Sequence, residues 1–179
     1  MSSPKQQPRK NDDGCIRSMS QYEIQVLNSN SEKANKEVLT LTVISKQLSI
    51  HTKGEGDIQD ITQKVSNTIA ETRLQSGIVT VFVTGSTGAL TTIEYEPGLL
   101  TDLPSTLERI APKGLPYEHE KRWHDGNGHS HVRASLIGPS ITIPFINGKL
   151  TLGTWQQIVF MELDVRSRAR NLVLQIIGE

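Results

Sequence analysis

The feature that most constrains the fold is a dipeptide, Asn147-Gly148, between two segments of alternating apolar residues. Asn and Gly both accept the positive φ angles of a two-residue β-turn, so the pair predicts a tight hairpin between strands at 141–146 and 150–152. The other strand-like segments do not alternate with helices as a parallel sheet would require. We therefore predict an α+β protein with largely antiparallel, sandwich-like β-sheets, two main helices and a single domain.

Hydrophobic periodicity places the remaining elements. The most apolar segment, 78–83, is predicted to be a buried strand. An amphipathic helix is predicted from an N-cap at Asp57 to a C-terminal Gly77. A second helix is predicted over 101–111, where Pro104 fits only the first turn. Further strands are predicted over 38–50, 89–95, 154–164 and 171–177.

The first 35 residues differ in composition from the rest of the chain. They are polar and are predicted to form a flexible tail, with one weakly held segment around 22–27. The folded domain is expected to span 36–179, which is long enough for a substantial core. The N-terminus has no apolar core of a secretory signal, and the only cysteine, Cys15, cannot form an intrachain disulfide. We expect a cytoplasmic protein.

Charge and aromatic content argue against two classes of partner. Nineteen basic and nineteen acidic residues give a formal net charge of zero, and aromatic residues make up 4% of the chain. A nucleic-acid-binding surface would need a basic stripe or stacking platforms. No apolar segment approaches the roughly 20 residues that span a bilayer. We therefore expect neither a nucleic-acid nor a membrane partner.

The side chains that can titrate near neutral pH or bind a metal are concentrated in one stretch, 119–135, which holds four of the five histidines. In an extended segment His129, His131, Arg133 and Ser135 would share one face. If 132–137 is instead a short helix, His131 and Ser135 still share a face.

His129 and His131 have the spacing of a pair that can chelate Zn²⁺ or another transition metal. A divalent metal ion, Zn²⁺ or Mg²⁺, is the expected cofactor. The third ligand would be His124, Asp125 or Glu94. The alternative is a solvated loop whose histidines hydrogen-bond backbone carbonyls. Spacing alone leaves both interpretations open.

A phosphate site is the second possibility. Arg133 could bind a phosphate bidentately, with hydroxyls from Ser86, Thr87, Ser135 and Ser140 around the same ligand. The alternative for Arg133 is an ion pair with Glu94 or Asp125. The loop that contains Ser86 and Thr87 is rich in small residues, which lets a ligand approach the backbone.

Several other residues have both a structural and a chemical interpretation. Glu94 lies in an apolar strand and could be a metal ligand, a general base or a solvent-facing residue, and the same holds for Glu162. Trp155 could form an apolar wall of a ligand pocket and Gln156 could bind a polar ligand edge, although packing is the commoner role of a Trp. The arginines at 166, 168 and 170 are interpreted as a solvated edge.

Several separate motifs, in order, resemble the YjbQ-like family, which is also described as secondary thiamine-phosphate synthases. They cover about residues 37–179. They are Ser86-Thr87-Gly88-Ala89-Leu90 with Glu94, the segment from His131 to Ser140, Gly153-Thr154-Trp155-Gln156, Glu162, and the terminal Ile177-Gly178-Glu179.

The resemblance implies a compact α+β fold assembled as a homotrimer. It also implies a secondary activity that joins a hydroxymethylpyrimidine diphosphate to a thiazole phosphate and releases pyrophosphate. The candidate catalytic residues are His131, Glu94 and Arg133. The candidate metal ligands are His129, His131 and Asp125. Where many members carry a histidine this chain has Gly85, and where they carry a proline it has His129. We interpret this as an imidazole moved between two loops of one pocket.

Three functions follow as hypotheses. The first is a transferase for a diphosphate substrate, in which a divalent ion and Arg133 neutralise the leaving group. The second is a non-catalytic trimer that binds a metal or a phosphorylated small molecule. The third is a metal-dependent hydrolase.

Overall fold

The computed structural model describes residues 19–25 and 38–179, so most of the predicted tail lies outside the described residues. Nine strands and four helices lie within these two ranges. The strands are β1 (Met19–Gln25), β2 (Val38–His51), β3 (Ile58–Asp60), β4 (Ser76–Val83), β5 (Gly88–Ile93), β6 (Ser140–Ile146), β7 (Lys149–Leu150), β8 (Gln157–Glu162) and β9 (Ala169–Gly178). The helices are α1 (Thr62–Thr72), α2 (Pro97–Ile110), α3 (Glu120–Trp123) and α4 (Gly128–Ile137).

The strands form two antiparallel sheets, which confirms the predicted fold class. One sheet has six strands in the order β1-β2-β9-β4-β6-β7, and the other has three in the order β3-β8-β5. The hairpin that joins β6 to β7 is the predicted one. Asn147 and Gly148 have φ angles of 52° and 69°, and Ile146 pairs with Lys149 across the turn.

Two apolar clusters join three layers, which are the six-stranded sheet, the three-stranded sheet and the helices α2 and α4. The larger cluster lies between the sheets and includes Val81 of β4, Phe160 of β8 and Leu174 of β9, with α1 packed against its edge. The smaller cluster lies on the other face of the three-stranded sheet, where Leu107 of α2 and Ala134 of α4 cover it. These contacts fix α4 against β5 and therefore position the histidine-rich stretch.

The first helix begins later than predicted, so the N-cap at Asp57 was wrong. Ile58 is buried in β3, where it pairs with Met161 and extends the three-stranded sheet. The helix starts at Thr62, whose N–H donates to the Asp60 carboxylate at 2.8 Å. It ends before Arg73, whose φ of 63° gives the left-handed conformation that was predicted for Gly77.

The second helix begins earlier than predicted. Its N-cap is Glu96, whose carboxylate accepts hydrogen bonds from the N–H groups of Gly98 and Leu99. Pro97 occupies the first turn, where a missing N–H costs nothing. Pro104 therefore lies inside the helix, which corrects its predicted place in the first turn.

The outer face of the six-stranded sheet carries no charged side chain on β2, β4, β6 and β9, apart from the strand ends. Strand alternation and register assign this open sheet face. Its residues are Val43, Ser45, Gln47, Ser49, Ile78, Thr80, Phe82, Ser140, Thr142, Pro144, Ile146, Asn171, Val173, Gln175 and Ile177. Among the helices of the described ranges, none is long and apolar enough to span a bilayer.

Candidate active site around His131

A carboxylate orders the turn that leads into α4. Glu120, at the start of α3, accepts hydrogen bonds from the backbone N–H groups of Gly126 and Gly128, both at 2.7 Å. These bonds satisfy donors at the N-terminus of α4, which has no side-chain cap of its own. The turn and the helix are thereby joined into one unit that presents Asn127 and His131.

Because α4 is helical, the four residues expected on one face divide between two. His129 and Arg133, one helical turn apart, are buried, with exposed fractions of 2% and 5%. His131 and Ser135 lie on another face and are more accessible. The extended arrangement was therefore wrong, whereas the helical alternative, with His131 and Ser135 together, is confirmed.

The His129 face forms an ion cluster away from the pocket of His131. His129 Nε2 lies 2.8 Å from Glu55 Oε1, and Arg133 contacts Glu55 at 3.2 Å and also pairs with Glu108. The Nε of Arg133 donates to the Ala111 carbonyl at 2.9 Å. Arg133 thus has the ion-pair role, with partners other than those predicted, and each of its three guanidinium nitrogens donates to an acceptor within the protein.

The same cluster shifts the pKa of Glu55. Burial acts to raise the pKa of this carboxyl, but hydrogen bonds from Lys113 and His129 outweigh it and leave the pKa below its usual value. The Glu55 carboxylate therefore stays charged at neutral pH and holds His129 and Arg133 in place.

His131 lies in a pocket of about 370 Å³ between α4 and the loop that connects β4 to β5. We call it the polar pocket. Its lining residues are Gly85, Ser86, Thr87, Asn127, His131, Asp164, Arg168, Ala169 and Arg170. Three predicted site residues, Ser86, Thr87 and His131, thus meet in one cavity of a size that suits a small molecule.

A second cavity of about 380 Å³ adjoins the first and shares Gly85, Ser86 and His131 with it. We call it the apolar pocket, because Phe82, Val83, Ala134 and Pro139 contribute much of its wall. Ser135 lies here, and its hydroxyl donates to the His131 carbonyl at 2.8 Å. Two compartments therefore meet at His131.

A buried hydrogen-bond network forms the floor of the polar pocket. Arg170 donates through Nε and Nη2 to the Glu162 carboxylate, at 2.8 and 2.5 Å. The same Nη2 donates to the Thr87 hydroxyl at 2.9 Å, and Thr87 donates to Asp164 at 3.0 Å. Arg168 closes the network with a 2.8 Å bond to Asp164. Thr87 is therefore a supporting residue, since its hydroxyl is engaged within the protein.

One nitrogen of Arg170 remains available to a ligand. A Cβ at Gly85 would lie 2.8 Å from Arg170 Nη1, so this nitrogen faces the loop across the pocket wall. Within 19–25 and 38–179, no protein acceptor is hydrogen-bonded to Nη1, nor to the backbone N–H groups of Ser86 and Thr87. These three donors belong to residues that line the polar pocket, and none of them is hydrogen-bonded within the described residues.

His131 has an environment that favours its neutral form. Burial lowers its pKa, and the nearby His119 lowers it further. The two rings lie 4.4 Å apart between centroids, and His119 Nε2 is 3.5 Å from the Asp125 carboxylate. A neutral imidazole carries one donor and one acceptor at neutral pH, so it can give or take a proton.

Three predicted residues lie at the other end of the three-stranded sheet. Glu94 follows β5, whereas Thr87 precedes it, and about 3.3 Å per residue places them roughly 20 Å apart. Trp155 and Gln156 precede β8, whose Gln157 pairs with Ile93 at that same end. All three are exposed, Trp155 by 69%, and a single chain does not bring them to His131.

The comparisons with known proteins place the chain in a family. The family described as "UPF0047 protein YjbQ-like" matches residues 46–179. The chain belongs to this family. A UPF0047 protein of Methanothermobacter thermautotrophicus is 38% identical over 139 residues, which cover 78% of this chain and 95% of that protein. One of Archaeoglobus fulgidus is 37% identical, with 72% and 98% covered.

Solved structures of the YjbQ-like family have the same fold. A YbjQ-like protein of unknown function from Sulfolobus solfataricus P2 matches with a TM-score of 0.72 and 30% identity, over 78% of this chain and 99% of that one. A hypothetical protein from Aeropyrum pernix K1 matches with a TM-score of 0.67 and 33% identity, over 74% and 98%. These matches show family and fold, and their descriptions name no activity.

The residues that their spacing suggested as metal ligands do not converge in one chain. His129 contacts Glu55, His131 faces the polar pocket, and Asp125 lies beside His119. Across the described ranges, no three His, Cys, Asp or Glu side chains are arranged to hold a metal ion. A divalent ion remains a prediction. His129 also does not replace an imidazole at position 85.

Four pocket residues were not anticipated from the sequence: Asn127, Asp164, Arg168 and Arg170. One signal could have identified Arg170. It lies in β9 at the parity of the buried Leu172 and Leu174, so it points inward and was wrongly assigned to a solvated edge. Glu162, an acid in an apolar strand, is its buried partner. Asn127 and Asp164 gave no comparable signal.

Proposed function

We propose that the polar pocket binds a phosphorylated small molecule, and that the protein is a transferase resembling the secondary thiamine-phosphate synthases. It would join a hydroxymethylpyrimidine diphosphate to a thiazole phosphate. The C–O bond between the pyrimidine methylene and the diphosphate breaks, the thiazole ring nitrogen forms the new C–N bond, and pyrophosphate leaves with the electron pair.

The observation that carries this proposal is a set of three donors, on residues that line the polar pocket, that make no hydrogen bond within the described residues. Arg170 Nη1 and the N–H groups of Ser86 and Thr87 suit a phosphate oxygen, because backbone N–H groups and a guanidinium together stabilise negative charge. The Glu162 carboxylate fixes the guanidinium in position. These donors would stabilise the negative charge that develops on the departing diphosphate without having to reorient.

Two adjacent pockets support a reaction between two substrates. They share the loop residues Gly85 and Ser86 and the side chain of His131. A diphosphate in the polar pocket and an apolar ring in its neighbour would meet beside this imidazole. In its neutral form, His131 can donate its N–H to the departing oxygen.

The direct test supplies both half-molecules to the full-length protein, with and without Mg²⁺ or Zn²⁺, and measures thiamine phosphate and pyrophosphate. We expect both products, and a rate at least 100-fold lower for His131→Gln, as is typical for a lost proton donor. His51→Gln, which changes an exposed histidine at the end of β2, is the matched control. Absence of product at every metal concentration would contradict the proposal.

A non-catalytic binding protein is the second candidate. It is favoured by the position of Glu94, which lies roughly 20 Å along β5 from the polar pocket and leaves fewer groups for catalysis. Saturable binding of both half-molecules with no product, and unchanged binding in His131→Gln, would support it over the transferase.

The proposed assembly is a cytoplasmic homotrimer. The open sheet face supports self-association, because a broad β-sheet surface without charged residues is typical of a subunit interface. Ile78, Phe82 and Ile146 are 40%, 41% and 57% exposed there in the single chain. A neighbouring copy would bury them.

A further inference from the structure

The side chain of Asn127 makes no hydrogen bond within the described residues. The residue is 7% exposed, yet its Oδ1 is inaccessible and has no hydrogen-bond partner within 19–25 and 38–179. Leaving a buried polar atom without a partner costs about 1–3 kcal/mol. Such a group is a candidate for binding a ligand.

Helix capping would explain this amide, but another residue caps the N-terminus of α4. Asn127 is at the N-cap of α4, where Asn commonly caps a helix, but its side chain makes no cap hydrogen bond. The Glu120 carboxylate binds the N–H groups of Gly126 and Gly128 instead. The backbone carbonyl of Asn127 accepts from Ser130 and His131, which any residue could provide. The turn therefore does not require an amide at this position.

Asn127 lies at the wall of the polar pocket, and rotation of its amide about χ2 would turn the covered Oδ1 towards the cavity. It lines the polar pocket together with His131 and Arg170. Its side chain thus adds an uncharged donor and acceptor to a cavity whose other corner suits an anion.

We infer that Asn127 forms a second subsite of the polar pocket, which recognises the edge of a nitrogen heterocycle that bears an amino group. A carboxamide presents an acceptor and a donor side by side in one plane. An exocyclic amino group beside a ring nitrogen presents the complementary pair, as adenine does to Asn. This inference rests on the proposed function, whose diphosphate substrate carries an aminopyrimidine ring.

Ser130 provides a matched control on the same helix. Its hydroxyl is also buried without a partner in the described part of the chain, but Ser130 does not line the polar pocket. A bound water could satisfy Ser130 and Asn127 alike. Only the ligand subsite predicts that the two residues differ in their effect on binding.

The test measures binding of three probes to the full-length protein by ¹⁵N NMR: pyrophosphate, a 4-aminopyrimidine, and the same pyrimidine without the amino group. The wild type should bind the aminopyrimidine about 10-fold more tightly than its amino-free analogue, which is the effect of one good hydrogen bond. The side-chain NH₂ resonances of Asn127, assigned by their loss in Asn127→Asp, should shift on binding.

Asn127→Leu, which keeps the volume but cannot hydrogen-bond, should lose this preference and bind pyrophosphate as the wild type does. Ser130→Ala should keep the preference. A wild type that binds pyrophosphate but treats both pyrimidines alike would overturn the inference while the anion corner stands. Retention of the preference in Asn127→Leu would overturn it too. A wild type that binds neither pyrophosphate nor either of the pyrimidines would overturn this inference together with the proposed function.

Discussion

At the scale of single residues, two arginines have environments that differ from those that the sequence suggested. Arg133 was expected to bind phosphate, but Glu55, Glu108 and the Ala111 carbonyl engage it. Arg170 was expected in solvent, but it is buried and faces the polar pocket. Both errors have one cause. The roles depend on which carboxylate lies opposite in space, and strand or helix parity reveals burial only after the element type is known.

Removing one member of the buried Arg170–Glu162 pair should lower the free energy of unfolding, whereas replacing both members with apolar residues should lower it much less. Arg170→Met leaves the Glu162 carboxylate buried without its cation, so we expect a loss of about 3–5 kcal/mol in the free energy of unfolding. The double variant with Glu162→Met should recover most of this loss, because two apolar side chains replace the pair. Urea unfolding measures both, with Arg166→Met, at an exposed position, as the control.

The titration of His131 should depend on His119. Because burial and then His119 lower its pKa, the NMR midpoint of His131 in the folded chain should lie below about 6.5. His119→Gln removes the charge repulsion, while the carboxylates of Asp125, Asp164 and Glu120 continue to raise the pKa, so the midpoint should rise. As pH falls below about 6.5 the unfolded chain binds this proton first, so folding stability should decrease. An unchanged midpoint in His119→Gln would contradict this account.

At the scale of elements, the hairpin at Asn147-Gly148 could be predicted because its turn depends on two adjacent residues. The helix α4 could not be recognised by periodicity. Its buried residues are mostly small or polar, so it carries no apolar stripe. Tertiary contacts decide its conformation: Ala134 packs on the three-stranded sheet and Arg133 enters the ion cluster. The candidate site therefore could be located in the sequence, but its geometry could not.

Glu120 should control the order of this helix. Glu120→Ala removes the acceptor for two N–H groups at the start of α4, and we expect a loss of about 0.5–2 kcal/mol, as for a lost helix cap. Amide hydrogen exchange across α4 should accelerate in the same variant. Glu118→Ala is the control, because this exposed carboxylate pairs only with Lys121 at the surface. Equal exchange in the two variants would show that Glu120 does not order α4.

At the scale of the whole molecule, the antiparallel α+β architecture could be predicted from the order of strand and helix patterns. The pattern could not predict that the motif residues lie at two opposite ends of the three-stranded sheet. His131 and Ser86 lie at one end, and Glu94 and Trp155 at the other. Sequence order does not reveal this distance, because β5 and β8 each run the full length of the sheet.

The open sheet face should mediate self-association. Ile78→Glu places a charge at the centre of this face, and we expect multi-angle light scattering to detect a smaller species than the wild type. Ile110→Glu makes the same change at an exposed position at the end of α2 and should leave the mass unchanged. A wild type that is monomeric would contradict the proposed trimer.

The central claim is that the corner formed by Arg170 Nη1 and the Gly85–Thr87 loop binds phosphate, and pyrophosphate titration into Gly85→Val tests it most directly. The backbone at Gly85 does not have a positive φ, so its conformation accepts a side chain. A Cβ there would lie 2.8 Å from Nη1, so the Arg170 guanidinium must shift to make room, which disturbs the corner without removing a charge. We predict saturable binding by the wild type and by the remote Gly153→Val, and binding at least 10-fold weaker in Gly85→Val. Equal binding by all three proteins, or none by the wild type, would contradict the account.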